Sequence, residues 1–174
     1  MSDALTGEAI AARRRIVVGI GEYAVSNDRW SVIVTHALGS CVAVCLWDPD
    51  AKVAGLIHVL LPDSRINPER ALAQPAAFAD TGIPLLFRTA YDYGVRKPRV
   101  LVRLVGGADV TGIGHGGDGP VGTRNVLAVR ALLWKNGVTV QREAVGGTDA
   151  RTVALEVGDG RIHVRHGRDT VQVL

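Results

Sequence analysis

Apolar residues fall in short runs separated by turn residues along most of this chain, and their spacing predicts strands more often than helices. Strands are expected near 16–20, 31–36, 41–47, 53–60, 99–105, 138–144, 152–157 and 161–166. Asn67-Pro68-Glu69 reads as a helix start with proline at the first position. A longer helical segment follows from Ala76 to Tyr93, where Thr81-Gly82 and Pro84 should kink or break it. Thr123 to Lys135 reads as a helix capped by Thr123 and stopped at Asn136-Gly137. Strands outnumber helices and the early ones come as hairpins. The pattern therefore predicts a single α+β domain over residues 15–174, a mixed or antiparallel β-sheet sandwich flanked by helices, and not a doubly wound parallel sheet. Residues 1–14 are polar and aperiodic and are expected to form a flexible arm.

The runs at 41–47 and 53–60 are joined by Asp48-Pro49-Asp50, which is turn chemistry, so they read as an antiparallel hairpin. Pairing Trp47 with Lys52 sets Cys41 opposite His58. Directly opposed side chains have Cβ atoms about 4.5–5.5 Å apart. That is the placement a cysteine nucleophile needs for activation, because an imidazole can raise the thiolate fraction by forming an ion pair. A slip of one residue would send the two side chains to opposite faces. Cys45 lies on the same face as Cys41 but about 13 Å along the strand, too far for a disulfide. It reads as a small buried apolar residue.

Length and composition limit the other function classes. The 174 residues, 47% hydrophobic and 21% charged, can enclose a core of their own. No apolar run approaches the roughly 18 residues of a membrane span. The start, Met1 to Arg15, lacks an apolar stretch of signal-peptide length, so a cytoplasmic protein with reduced cysteines is expected. The net charge of +3 is spread along the chain and aromatic residues make up only 5%, which argues against nucleic acid as a partner. Basic residues gather at Arg13-Arg14-Arg15 and again at Arg161, His163, Arg165, His166 and Arg168, as solvated ends or an attraction to an acidic protein surface.

Gly112 to Gly117 matches the G-x-G-x-x-G string, but it runs into Asp118-Gly119-Pro120 instead of a helix, so it reads as a loop bordering the active site and not as a dinucleotide cradle. His115 within it reads as solvated. His163 and His166 are three apart, which in a strand points their rings to opposite faces. No metal and no cofactor are expected.

Thr35, then Leu38-Gly39-Ser40-Cys41-Val42, then His58 with Leu61-Pro62, resemble the active-site segment of the chemoreceptor glutamine deamidases of bacterial chemotaxis, the CheD family. The resemblance continues through Gly106-Gly107-Ala108, Val121-Gly122-Thr123-Arg124-Asn125 and Gly146-Gly147, and spans roughly residues 16–166. It implies that Cys41 is the nucleophile, His58 its acid and base, and Thr35 the third member of the triad. The reaction implied converts receptor glutamines to glutamate through a thioester. Thr35 is suited to hold the second ring nitrogen of His58 through its hydroxyl. The backbone at Ser40-Cys41, freed by Gly39 to turn sharply, is the candidate oxyanion site. The implied partners are the cytoplasmic helices of chemoreceptors and a CheC-like phosphatase, with the protein itself expected as a monomer. Two alternatives stay open: a non-catalytic regulatory module that binds receptors or a CheC-type phosphatase, and an unrelated small-amide cysteine hydrolase.

Overall fold

A computed structural model of the chain describes residues 13–112, 119–167 and 170–174. The described strands form two five-stranded sheets. The first takes β1 (Arg14–Val17), β3 (Ser31–Leu38), β8 (Arg151–Glu156), β9 (Ile162–His166) and β10 (Thr170–Val173) in the order β1-β3-β8-β9-β10. The second takes β2 (Tyr23–Ser26), β4 (Val42–Asp48), β5 (Val53–Val59), β6 (Leu101–Gly106) and β7 (Val140–Val145) in the order β2-β5-β4-β6-β7. Each sheet has one parallel pair, β1 with β3 and β6 with β7, and is otherwise antiparallel. The helices are α1 (Pro68–Ala73), α2 (Ala79–Asp92) and α3 (Val121–Lys135).

Every residue of β4 and β5 is buried, which explains why both read as continuous apolar runs. Alternation divides them between two cores. Val42, Val44, Leu46, Ile57 and Val59 face the helices and meet Leu86, Phe87, Val129 and Leu133. Ala43, Cys45, Trp47 and Leu56 face the first sheet and meet Ile33, Val153, Leu155 and Ile162. The result is the expected α+β sandwich, with its covering helices against the second sheet. Among the described residues no helix is long and apolar enough to cross a membrane.

The hairpin pairs Val42 with Val59, Ala43 with His58 and Trp47 with Ala54, so its register is two residues from the expected pairing of Trp47 with Lys52. Asp48 causes the difference. It stays in the ladder opposite Val53, and its Oδ1 accepts the Asp50 and Ala51 N–H groups. The chain then reverses through Lys52, whose φ is 55°. A shift of two preserves the side-chain face.

Three further expectations are corrected. Helix α2 continues through Pro84, an exposed position, so the chain is not broken there. Helix α3 starts at Val121 with Pro120 at the cap position, so Thr123 lies inside the helix and is not its cap. A Cβ on Gly122 would stand 2.6 Å from the Gly107 carbonyl carbon, so a close backbone approach sets this helix start. Arg14 opens β1, which puts the expected end of the flexible arm inside a strand, while residues 1–12 lie outside the described residues. The short strands β2 and β10 were not expected, because neither carries an apolar alternation long enough to read.

Candidate active site

Strand β3 ends at Leu38 in the first sheet, and Gly39-Ser40-Cys41 carries the chain across to β4 in the second. Thr35 therefore lies on one sheet, His58 on the other, and Cys41 in the crossing between them. Thr35 and His58 are fully buried and Cys41 is 6% exposed. Thr35 Oγ1 and His58 Nδ1 are 2.7 Å apart across the sandwich. Cys41 directly precedes Val42, whose ladder partner is Val59, and the same register continued by one residue would make His58 the diagonal neighbour of Cys41. Such neighbours are about 7–8 Å apart, within reach of longer side chains. The structure thus hydrogen-bonds Thr35 to His58 across the sandwich and leaves His58 Nε2 without a hydrogen-bond partner, the Cys41 thiol included, among the described residues.

The hydrogen bonds assign the imidazole tautomer. Thr35 Oγ1 has one hydrogen, and it donates it to the Val18 carbonyl at 2.7 Å. Toward His58 the hydroxyl oxygen can then only accept, so Nδ1 carries the ring hydrogen and Nε2 holds a free lone pair. Burial lowers the His58 pKa to about 4, so the ring is neutral at neutral pH. Burial raises the Cys41 thiol, opposed in part by its own backbone N–H. The resting pair is therefore a neutral thiol and a neutral imidazole, not the expected ion pair, because no countercharge offsets desolvation at either group. Cys45, deeper between the sheets, is pushed up to about 12 by burial.

The crossing is held by its carbonyls. Gly39 O accepts from Ala108 N–H at 2.8 Å and Cys41 O from Gly107 N–H at 2.7 Å. Ser40 O accepts from Asn125 Nδ2 at 2.9 Å. Among the described residues the N–H groups of Ser40 and Cys41 donate to no other residue, the Cys41 N–H lying toward its own sulfur, while Gly39 N–H donates to Ala37 O at 3.0 Å. The chain bends at Gly39-Ser40 as expected, and Ala37, still within β3, has φ 55° where the pairing of β3 with β8 shifts between Thr35 and Leu38. A Cβ on Gly106, at φ 113°, would overlap the Cys41 carbonyl, so this position has to be glycine.

Two residues near the site had no role in the sequence reading. Buried Arg151 donates through Nη1 to Gly106 O at 3.3 Å and through Nη2 to Gly146 O at 2.7 Å, tying the glycine turns together. Asn125, fully buried, donates also to Leu60 O at 3.0 Å. Its signal in the sequence is a polar residue on an apolar helix stripe, beside Gly122, Val126, Val129 and Leu133. His163 stands apart from the site, with Nε2 2.6 Å from Glu156 Oε1. Among the described residues no cluster of His, Cys, Asp or Glu could hold a metal ion. In the glycine-rich stretch 112–122, residues 113–118, with His115, lie outside the described residues, and Gly112 is exposed.

With this geometry in view, the chain was compared with known proteins. The family model CheD, described as CheD chemotactic sensory transduction, matches residues 60–166. A protein of Anaeromyxobacter dehalogenans named "Probable chemoreceptor glutamine deamidase CheD 2" is 46% identical over 152 residues, 87% of this chain and 94% of that one. One of Syntrophus aciditrophicus named "Probable chemoreceptor glutamine deamidase CheD 1" is 40% identical over 150 residues, 86% of this chain and 92% of that one. A Solibacter usitatus protein of the same description is 42% identical over 148 residues, covering 85% and 86%.

Proposed function

The chain belongs to the CheD family, and from that membership we propose that it is a chemoreceptor glutamine deamidase with Cys41 as nucleophile, His58 as acid and base, and Thr35 as the group that fixes the imidazole. The observation that supports this reading is His58 Nε2: a buried acceptor without a hydrogen-bond partner among the described residues, its lone pair set by Thr35, on the strand paired with the one that Cys41 enters.

Because thiol and imidazole rest neutral, the proton moves as the bond forms. Nε2 takes the hydrogen of Sγ while Sγ attacks the side-chain amide carbon of glutamine, and the carbonyl electron pair passes to oxygen. The Ser40 and Cys41 N–H groups are the donors for that oxyanion. The C–N bond then breaks, the imidazolium gives its proton to the leaving nitrogen, and ammonia departs. Water next gives a proton to Nε2 as its oxygen attacks the thioester. The C–S bond breaks, the proton returns to sulfur, and glutamate is released. Glutamine and water become glutamate and ammonia, with no cofactor in the sequence of steps. We place the target glutamines on the cytoplasmic helices of receptors, which puts the protein in the cytoplasm.

The test is incubation with receptor cytoplasmic fragments, read by mass spectrometry. Wild type is expected to add roughly 1 Da at specific glutamines, as amide hydrolysis through a thioester requires. Cys41→Ala should bind the fragments but add nothing, and Cys45→Ala should stay active. Binding without conversion by wild type, across several receptors, would instead identify a non-catalytic regulator.

A further inference from the structure

Asn125 lies on the stripe of α3 that faces the second sheet and is fully buried. Its Nδ2 donates to two elements at once, to Ser40 O in the crossing at 2.9 Å and to Leu60 O just past β5 at 3.0 Å. Its Oδ1 is buried with no partner among the described residues. An unpaired buried acceptor destabilises a fold, and an apolar side chain of similar size would avoid the penalty. The position therefore uses the amide for its donor half.

The Ser40 carbonyl belongs to the same peptide group as the Cys41 N–H. A hydrogen bond accepted by a carbonyl draws electron density to its oxygen and makes the N–H of that peptide a stronger donor. It also holds the peptide plane in one orientation. The neighbouring Gly39 and Cys41 carbonyls are held by backbone N–H groups, so Asn125 is the side chain acting on the peptide that carries the Cys41 N–H. Resting on the deamidase reading, we propose that Asn125 is a positioning residue for thioester formation. Through the Ser40–Cys41 peptide it aims and strengthens the Cys41 N–H as an oxyanion donor, and through Leu60 O it keeps the crossing against the strand that bears His58.

Two reactions of the same thiol test this. Alkylation of Cys41 by iodoacetamide develops no oxyanion, whereas deamidation does. Asn125→Ala is compared with Asn125→Ser, in which the hydroxyl and a water in the vacated polar space can serve the two carbonyls and preserve folding. Deleting a direct oxyanion donor costs about 10²–10³ in kcat, so loss of an indirect one is expected to cost about tenfold. KM for the receptor fragment and the alkylation rate of Cys41 should stay within about twofold of wild type. Parallel falls in kcat and alkylation, or an unchanged kcat, would overturn the proposal.

A peptide with an aldehyde in place of the glutamine amide reads the same donor without turnover. The thiol adds to the aldehyde carbon, its proton passes to the aldehyde oxygen, and the hemithioacetal oxygen sits where the oxyanion would form. Asn125→Ala should bind this probe about tenfold more weakly and Asn125→Ser nearly as tightly as wild type, and unchanged affinity in Asn125→Ala overturns the proposal. If wild type converts no glutamine, the deamidase reading fails, and the ratio of aldehyde affinity to alkylation rate still decides the role of Asn125.

Discussion

His58 on β5 and His163 on β9 are both buried histidines of one sandwich, yet their partners give them opposite characters. His163 Nε2 meets the Glu156 carboxylate, and Glu156 in turn pairs with Arg13 at 2.6 Å. That imidazole is tied into an ion-pair cluster with its Nε2 occupied. His58 has a hydroxyl at Nδ1 and, among the described residues, no hydrogen-bond partner at Nε2. Burial is common to both rings, so what separates a structural histidine from an available base is whether the second nitrogen is left open and what fixes the first.

The strongest test of this contrast is to remove each ring in turn. General acid–base groups contribute about 10²–10⁴ in rate, so His58→Gln should lower the deamidation kcat about a thousandfold. His163→Gln should keep kcat and lower the unfolding temperature, because it opens the Glu156 cluster. Equal losses of activity in the two variants would erase the distinction.

A second test uses acid. The His58 pKa is lowered by burial from 6.5 to about 4. Above pH 6.5 neither the folded nor the unfolded chain protonates this ring. As pH falls from 6.5 to 4 the unfolded chain takes up a proton that the folded chain refuses, so stability falls by roughly 3 kcal/mol across that window. Asp48 and Asp63, held down to about 2, lose their contributions only below their ordinary 3.8 and fall outside it. Urea unfolding at pH 7, 5.5 and 4 should show this loss in wild type and not in His58→Leu. The same slope in both proteins would mean that another group is responsible.

The smallest effect sharpens the comparison at Nδ1. Thr35→Val leaves the ring free to take either tautomer and orientation, and should cost about tenfold in kcat with KM unchanged. Thr35→Ser keeps the hydroxyl and should recover most of the rate. Full activity in Thr35→Val would remove Thr35 from the site.

Much of this was legible in local sequence. The apolar runs that became β4 and β5, the turn residues between them, and the short motifs around Cys41 and His58 all depend on near neighbours. The hairpin register was read two residues out, because the Asp48 hydrogen bonds that define the turn leave no mark in an apolar pattern. The error keeps the side-chain faces, because strand side chains repeat every two residues, but His58 pairs with Ala43 and not with Cys41. Thr123 was read as a cap from its residue type, whereas the start of α3 follows from the contact of Gly122 with Gly107, far away in sequence.

Residue order alone therefore determined the longer strands and which of their residues alternate onto a shared face. Only tertiary packing decided that Thr35 reaches His58 from the opposite layer, that the β3 pairing shifts at Ala37, and that Asn125 and Gly106-Gly107-Ala108 close on the crossing. These contacts join segments many residues apart, and each exists only because burial removes water as the alternative partner for the groups involved.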